Sequence, residues 1–126
     1  MKILLPPGWP RPRGYSNGVA VKGSMVFVAG MIGWDAHGKF HTSDMAGQVR
    51  QALQNIVEVL KEGGARPEHI VRMTWYVKNK KEYVAAYPEI GVAFRELIGS
   101  FNAVMTAVEV ADLVEDEAKV EIEVTA

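Results

Sequence analysis

The chain has 126 residues, 48% of them apolar and 23% charged, with a formal net charge of −1. That length predicts a single domain over residues 1–126 with a real core, and that balance excludes a disordered chain. Near-neutral, scattered charge argues against a dedicated nucleic-acid or membrane surface, and with no cysteine there is no disulfide, thiol nucleophile or Cys-based metal site.

Residues 1–18 carry Pro6, Pro7, Gly8, Pro10, Pro12, Gly14 and Gly18. Fixed φ angles and missing N–H groups predict an irregular lead-in, either a surface arm or a pocket-lining loop, bearing Arg11, Arg13 and Tyr15. The opening Met-Lys-Ile-Leu-Leu is halted by Pro6 and is too short for a signal-peptide core. No apolar run reaches membrane-spanning length, so a cytoplasmic protein is expected.

Residues 19–22 and 25–29 flank Gly23-Ser24 and predict a β-hairpin. Val26, Phe27 and Val28 are apolar on both faces, which predicts a second strand interior to the sheet. Gly30 and Gly33 bracket Met31-Ile32 ahead of a turn over residues 34–38. A strand ending in glycines either bulges or lets a ligand approach the backbone. A helix follows, capped by Ser43 or Asp44, with Val49, Leu53, Ile56, Val57 and Leu60 on one stripe and Gly63-Gly64 as its stop.

Residues 70–77 read as a strand with Val71, Met73, Trp75 and Val77 on one face and Arg72, Thr74 and Tyr76 on the other. Asn79 and Glu82 suit a helix start. Pro88 either kinks that helix or begins a new one that runs to Ile98. Two further strands, 103–110 and 118–125, are joined by an acidic loop. In the last, Val120, Ile122 and Val124 alternate with Glu121, Glu123 and Thr125.

The order β-β-α-β-α-β-β predicts an α+β two-layer sandwich, a mixed sheet with two helices on one face. Its other face, with Arg72, Thr74 and Tyr76, is then uncovered in a monomer, and an oligomer would close it. No metal-binding, phosphate-binding or nucleophile-elbow motif is present. His37, His41 and His69 are scattered in turns and read as solvated or capping residues. By alternation alone Glu121 is a solvated face residue or the wall of a pocket.

Five segments nevertheless have a recognisable order and spacing. They are Tyr15-Ser16-Asn17-Gly18, Val26-Phe27-Val28-Ala29-Gly30, Gln48-Val49-Arg50-Gln51-Ala52-Leu53-Gln54-Asn55, Val108-Glu109-Val110 and Val120-Glu121-Ile122-Glu123. Together they resemble the RidA/YjgF family of reactive-intermediate deaminases over residues 14–126. The resemblance implies a chorismate mutase-like fold, a homotrimer with small-molecule pockets in the clefts between subunits, and hydrolysis of 2-imino or enamino acids to 2-oxo acids and ammonia. It implies neither metal nor cofactor. Carried over by position, the site residues are Glu121, which positions or activates water, and Tyr15, Gly30 and Thr106, which hold the ligand.

Two positions depart from the family pattern. Where its penultimate strand has an Arg that pairs with the substrate carboxylate, this chain has Met105, and the usual Gln after Gly30 is Met31. Both belong to the expected substrate-binding set, and the changes suggest a more apolar ligand or a pocket turned over to packing. A thioether offers neither charge nor a donor fork, and losing a desolvated partner of that kind costs on the order of 2–5 kcal/mol of binding. The expected function is a deaminase-like hydrolase of altered substrate range, one version being aminomuconate-deaminase-like. The alternatives are a non-catalytic trimeric ligand-binding protein and, more weakly, an endoribonuclease or translation inhibitor.

Overall fold

In the computed structural model, which describes residues 1–126, the longest element is helix α1, Met45–Glu62. Asp44 is its N-cap, accepting the Gly47 N–H at 2.8 Å, so the capping choice falls on Asp44 rather than Ser43. At the far end the Gly64 φ of +72° lets the backbone turn out of the helix, and the Ala65 N–H returns to the Leu60 carbonyl at 2.9 Å. One stripe of α1 is buried: Met45, Val49, Ala52, Leu53, Ile56 and Leu60.

That stripe lies on a four-stranded sheet of β3 (Phe27–Met31), β4 (Arg72–Val77), β5 (Val104–Glu109) and β6 (Val120–Thr125), in the order β3-β6-β4-β5. β6 is antiparallel to both its neighbours, and β4 and β5 are parallel. Met73, Trp75 and Val77 of β4 and Val120, Ile122 and Val124 of β6 face the helices and join α1 in one 16-residue core. Fully burying each such side chain contributes roughly 1.5–3 kcal/mol. Arg72, Thr74, Tyr76, Glu121, Glu123 and Thr125 occupy the opposite, open face. The α+β two-layer architecture is as the sequence predicts.

Pro88 resolves its two alternatives in favour of a restart. The expected second helix divides into α2, Lys80–Ala85, capped by Asn79 accepting the Glu82 N–H at 2.9 Å, and α3, Tyr87–Leu97, with Pro88 in its first turn. Proline tolerates that place because its missing N–H would have no intrahelical acceptor there.

The first strands differ from expectation. No hairpin forms across Gly23-Ser24. Instead β2, Gly18–Ala20, pairs antiparallel with β1, Lys2–Leu4, inside a segment that the prolines suggested was wholly irregular. Residues 21–26 lie outside any strand, and Val26 exchanges backbone hydrogen bonds of 2.6 and 2.8 Å with Ala126. The last residue thus takes the pairing that the hairpin would have used. β3 is consequently an edge strand rather than an interior one, and Phe27 stands 72% exposed on the open face.

Two side chains of α1 hold the strand ends. Gln48 is fully buried; its Nε2 donates to the carbonyls of Thr42 (3.2 Å) and Glu117 (2.9 Å), and its Oε1 accepts the Lys119 N–H at 2.8 Å. Asn55 Nδ2 donates to the carbonyls of Ile32 (3.1 Å) and Trp34 (2.8 Å) just past β3. The turn that follows is built on Asp35, whose carboxylate accepts the N–H groups of His37 (2.8 Å) and Lys39 (3.0 Å) and pairs with His41 Nε2 at 2.6 Å. No helix is long and apolar enough to cross a membrane.

Two outcomes are expected. Gln48→Leu leaves three backbone groups without partners and should lower stability by about 2–4 kcal/mol, or on the order of 10 °C in Tm, whereas Gln54→Leu on the exposed side of α1 should stay within about 0.5 kcal/mol; thermal unfolding followed by circular dichroism checks both. The Lys39 N–H, then His41 and the His37 N–H, hold the Asp35 carboxyl down at about 2. Its charged form is favoured by folding, so its contribution is complete above about pH 4 and is lost as pH falls towards 2. Carbon-detected titration should show that midpoint, and Asp35→Asn should abolish the acid-side loosening of the turn.

Candidate functional site

β6 presents Glu121 on the open face, half-buried, directly across from Tyr76. On its other side β3 bulges between Val28 and Met31, which brings Gly30 under the Glu121 side chain. A Cβ at Gly30 would lie 2.3 Å from Glu121 Oε1 and 2.9 Å from its Cγ, so only glycine admits the side chain in that pose. The Glu121 carboxylate takes part in none of the protein's ion pairs. Glu123, its neighbour on the same face, is engaged: Tyr76 Oη donates to its Oε1 at 2.7 Å. That hydrogen bond, followed by burial and the charges of Glu123 and Glu121, holds the Tyr76 hydroxyl above its ordinary range.

A groove of about 740 Å³ opens at the other end of the same face and contains Tyr15, Thr106 and Met105. The loop carrying Tyr15 is pinned there. The Ser16 N–H donates to the Ala103 carbonyl at 2.7 Å, Ser16 Oγ donates to the Asn102 carbonyl, and Gly14 supplies the positive φ of +78°. The segment 15–17 therefore lines a pocket; it is not a free arm. Arg11 lies in a smaller adjoining cavity of about 240 Å³ beside Tyr15, and Arg13 lines neither.

Of the two alternatives for the methionines, an apolar ligand contact or packing, the structure favours packing. Met31 pairs with the buried Ile122, and Met105 with the buried Met73, so both belong to the helix-facing side, where they pack against the main core. Met105 reaches the groove only as part of its rim.

Within one copy of the protein the predicted residues form two groups. Gly30 and Glu121 touch; Tyr15, Thr106 and Met105 share the groove; the groups do not meet. From Glu121 to Thr106 is two strand spacings and a two-residue offset, roughly 12 Å of sheet. The groove also holds Arg72 and Thr74, which alternation had placed on the open face without assigning them a role. The missed signal was charge: Arg72 is the sole charged residue of the groove.

A second cavity, of about 700 Å³, lies between the 41–43 segment and the 116–119 loop. Its cations are already paired, Lys119 with Glu82 and Lys78 with Asp112 at 3.1 Å. Nowhere do three His, Asp or Glu side chains converge in a way that could hold a metal ion.

A family model described as Endoribonuclease L-PSP matches residues 10–126. The 2-iminobutanoate/2-iminopropanoate deaminase of Salmonella typhimurium is 33% identical over 112 residues, covering 89% of this chain and 85% of the relative. A RutC family protein of Pyrococcus abyssi is 31% identical over 109 residues, 85% of this chain and 82% of its own. Among solved structures, YyfB of Yersinia pestis, a conserved Rid family protein of unknown function, superposes with a TM-score of 0.85 at 30% identity, covering 99% of this chain and 96% of that one. YjgF of Escherichia coli superposes with a TM-score of 0.72 at 30% identity over 100% and 98% of the two proteins. By sequence and by fold, this chain belongs to the RidA/YjgF family.

Proposed function

We propose that the protein is a deaminase-like hydrolase acting on small 2-imino or enamino acids in a cleft between copies of itself. The observation that carries this reading is the Glu121 carboxylate, half-buried, outside any ion pair and lying over Gly30. The name of the Salmonella relative supports the reaction class. In the reaction, water adds to the C=N carbon, and the carbinolamine then loses ammonia to give the 2-oxo acid. Glu121 orients the water, takes one proton as the C–O bond forms and passes it to the imine nitrogen; it then takes the carbinolamine hydroxyl proton as C=O forms and delivers that one to the nitrogen as the C–N bond breaks. Ammonia leaves, and the balance needs no redox partner.

The separation of the two groups supports the cleft. A second copy laying its groove edge against this open face would bring Tyr15 and Thr106 towards Glu121, and three copies arranged head to tail would close three such sites. Burial of the exposed Phe27 and Val108 would favour that assembly. One feature favours a second reading, a ligand-binding protein without turnover. Residue 105 is a half-buried methionine packed against the core, and its thioether gives a substrate carboxylate no charge or donor to bind.

Ammonia release from freshly generated 2-aminoacrylate and 2-aminomuconate separates the two readings. Glu121→Gln should slow turnover by about 10²–10⁴-fold while leaving Tm unchanged; an unaltered rate removes Glu121 from the chemistry. Turnover of neither compound by the native protein, with a Tm that still rises on adding 2-oxo acids, would establish the binder instead. Gly30→Ala should reproduce the kinetic loss of Glu121→Gln, because its methyl takes the space the carboxylate occupies. Its effect on Tm should be small, since the flexible Glu121 side chain can swing aside.

A further inference from the structure

We infer that Arg72 is the carboxylate anchor of the groove, so the ligand keeps an acid group although residue 105 offers no cation. The inference rests on the reading above only in taking this groove as the ligand site. Arg72 pairs in register with Val104 on one side and Thr125 on the other, and its neighbour Met73 is buried, so its side chain belongs to the open face. It is the single charged residue among the 16 that line the groove. Unlike the cations of the second cavity, it has no partner: it takes part in none of the protein's ion pairs. The acidic residue nearest in register is Glu123, diagonal to it across β6, and that carboxylate already accepts the Tyr76 hydroxyl at 2.7 Å.

The surroundings fit a small acid. Phe27, Val71 and Val104 give the groove apolar walls, and a ligand seated against them would displace water from the exposed Arg72 guanidinium and strengthen its charge-assisted hydrogen bond. Thr74 and Thr106 stand opposite one another one step along the parallel pair, two residues beyond Arg72 and Val104. That step is roughly 7 Å, within reach of an extended arginine side chain. A planar guanidinium can then hold a carboxylate in bidentate fashion while the threonine hydroxyls meet the oxygen or nitrogen on the adjacent carbon. The ligand class this fits is a 2-oxo or 2-imino acid with one carboxylate on Arg72.

Calorimetric titration with 2-oxobutanoate, its methyl ester and inorganic phosphate tests the assignment on the native protein, Arg72→Gln and Arg72→Lys. Circular dichroism confirms that each variant is folded. The native protein should bind the acid and neither the ester nor phosphate. Arg72→Gln should weaken binding by roughly 10–100-fold, the usual loss for charge-assisted hydrogen bonds. Arg72→Lys, which keeps the charge but not the fork, should fall between and serves as the test where the Gln variant does not fold.

The inference is overturned if the native protein binds no 2-oxobutanoate, if the ester or phosphate binds as tightly, or if both Arg72 variants bind like the native protein. A change in oligomeric state in Arg72→Gln, with no binding of the acid by the native protein, would assign the guanidinium to a subunit contact instead. Binding that needs Arg72, without ammonia release from 2-aminoacrylate, keeps the anchor and removes the deaminase reading. Ammonia release that Arg72→Gln leaves untouched does the reverse.

Discussion

The register of β6 is the constraint on which the rest depends. This strand is hydrogen-bonded on both sides, to β3 and to β4, and its side chains alternate without exception between apolar and polar. Val120, Ile122 and Val124 are at most 3% exposed, and a one-residue slip would send Glu121 and Glu123 into their places. Burying two unpaired carboxylates costs several kcal/mol each, so no neighbouring register competes. The same register sets Glu121 across from Tyr76 and Glu123 across from Thr74. Site geometry is thus a by-product of core packing.

The strand end at Gly30–Gly33 is fixed from behind by the same logic. A Cβ on Gly33 would come within 2.7 Å of the Gln48 Cα, so α1 lies against bare backbone there. Gln48 and Asn55 then bind backbone groups on either side of the contact, at the 116–119 loop and at Ile32 and Trp34. The helix motif most characteristic of the family is therefore a clamp, and none of its side chains enters the groove. Its effect on chemistry runs through position: it immobilises the bulge, and the bulge puts Gly30 beneath Glu121.

These relations were unequally legible in the amino-acid order. Local periodicity and capping sufficed for α1, β4 and β6, because each is decided by residues within one or two turns, whereas at Pro88 they left a kink and a restart open. Strand pairing is decided at long range, which is why a hairpin was expected where Val26 pairs with Ala126. The apolar run at 26–28 reads equally as an interior strand or as an edge strand awaiting another surface. For Met31 and Met105 the missing quantity was parity. A family position tells which strand a residue is on, but the face follows only from registers with Ile122 and Met73. Glu121 was identified by family position, while Arg72 lay in plain view on the open face and went unassigned.

The charges of that open face are arranged along its length, with Arg72 towards one end and Glu121 towards the other. They are one strand and four residues apart, roughly 14 Å, whereas the acid group and reacting carbon of a 2-imino acid are adjacent atoms. That is a backbone spacing, and one copy would serve both ends of a small substrate only with the Arg72 side chain extended along the strand past Thr74. In the cleft between copies proposed above, the guanidinium and the carboxylate would come from different copies, with the cation at the end of the ligand away from the incoming water. Such a division also explains how methionine is tolerated at residue 105. Were the anion held from the open face, the helix-facing edge of β5 would need no cation, and the half-buried thioether packs against the core there.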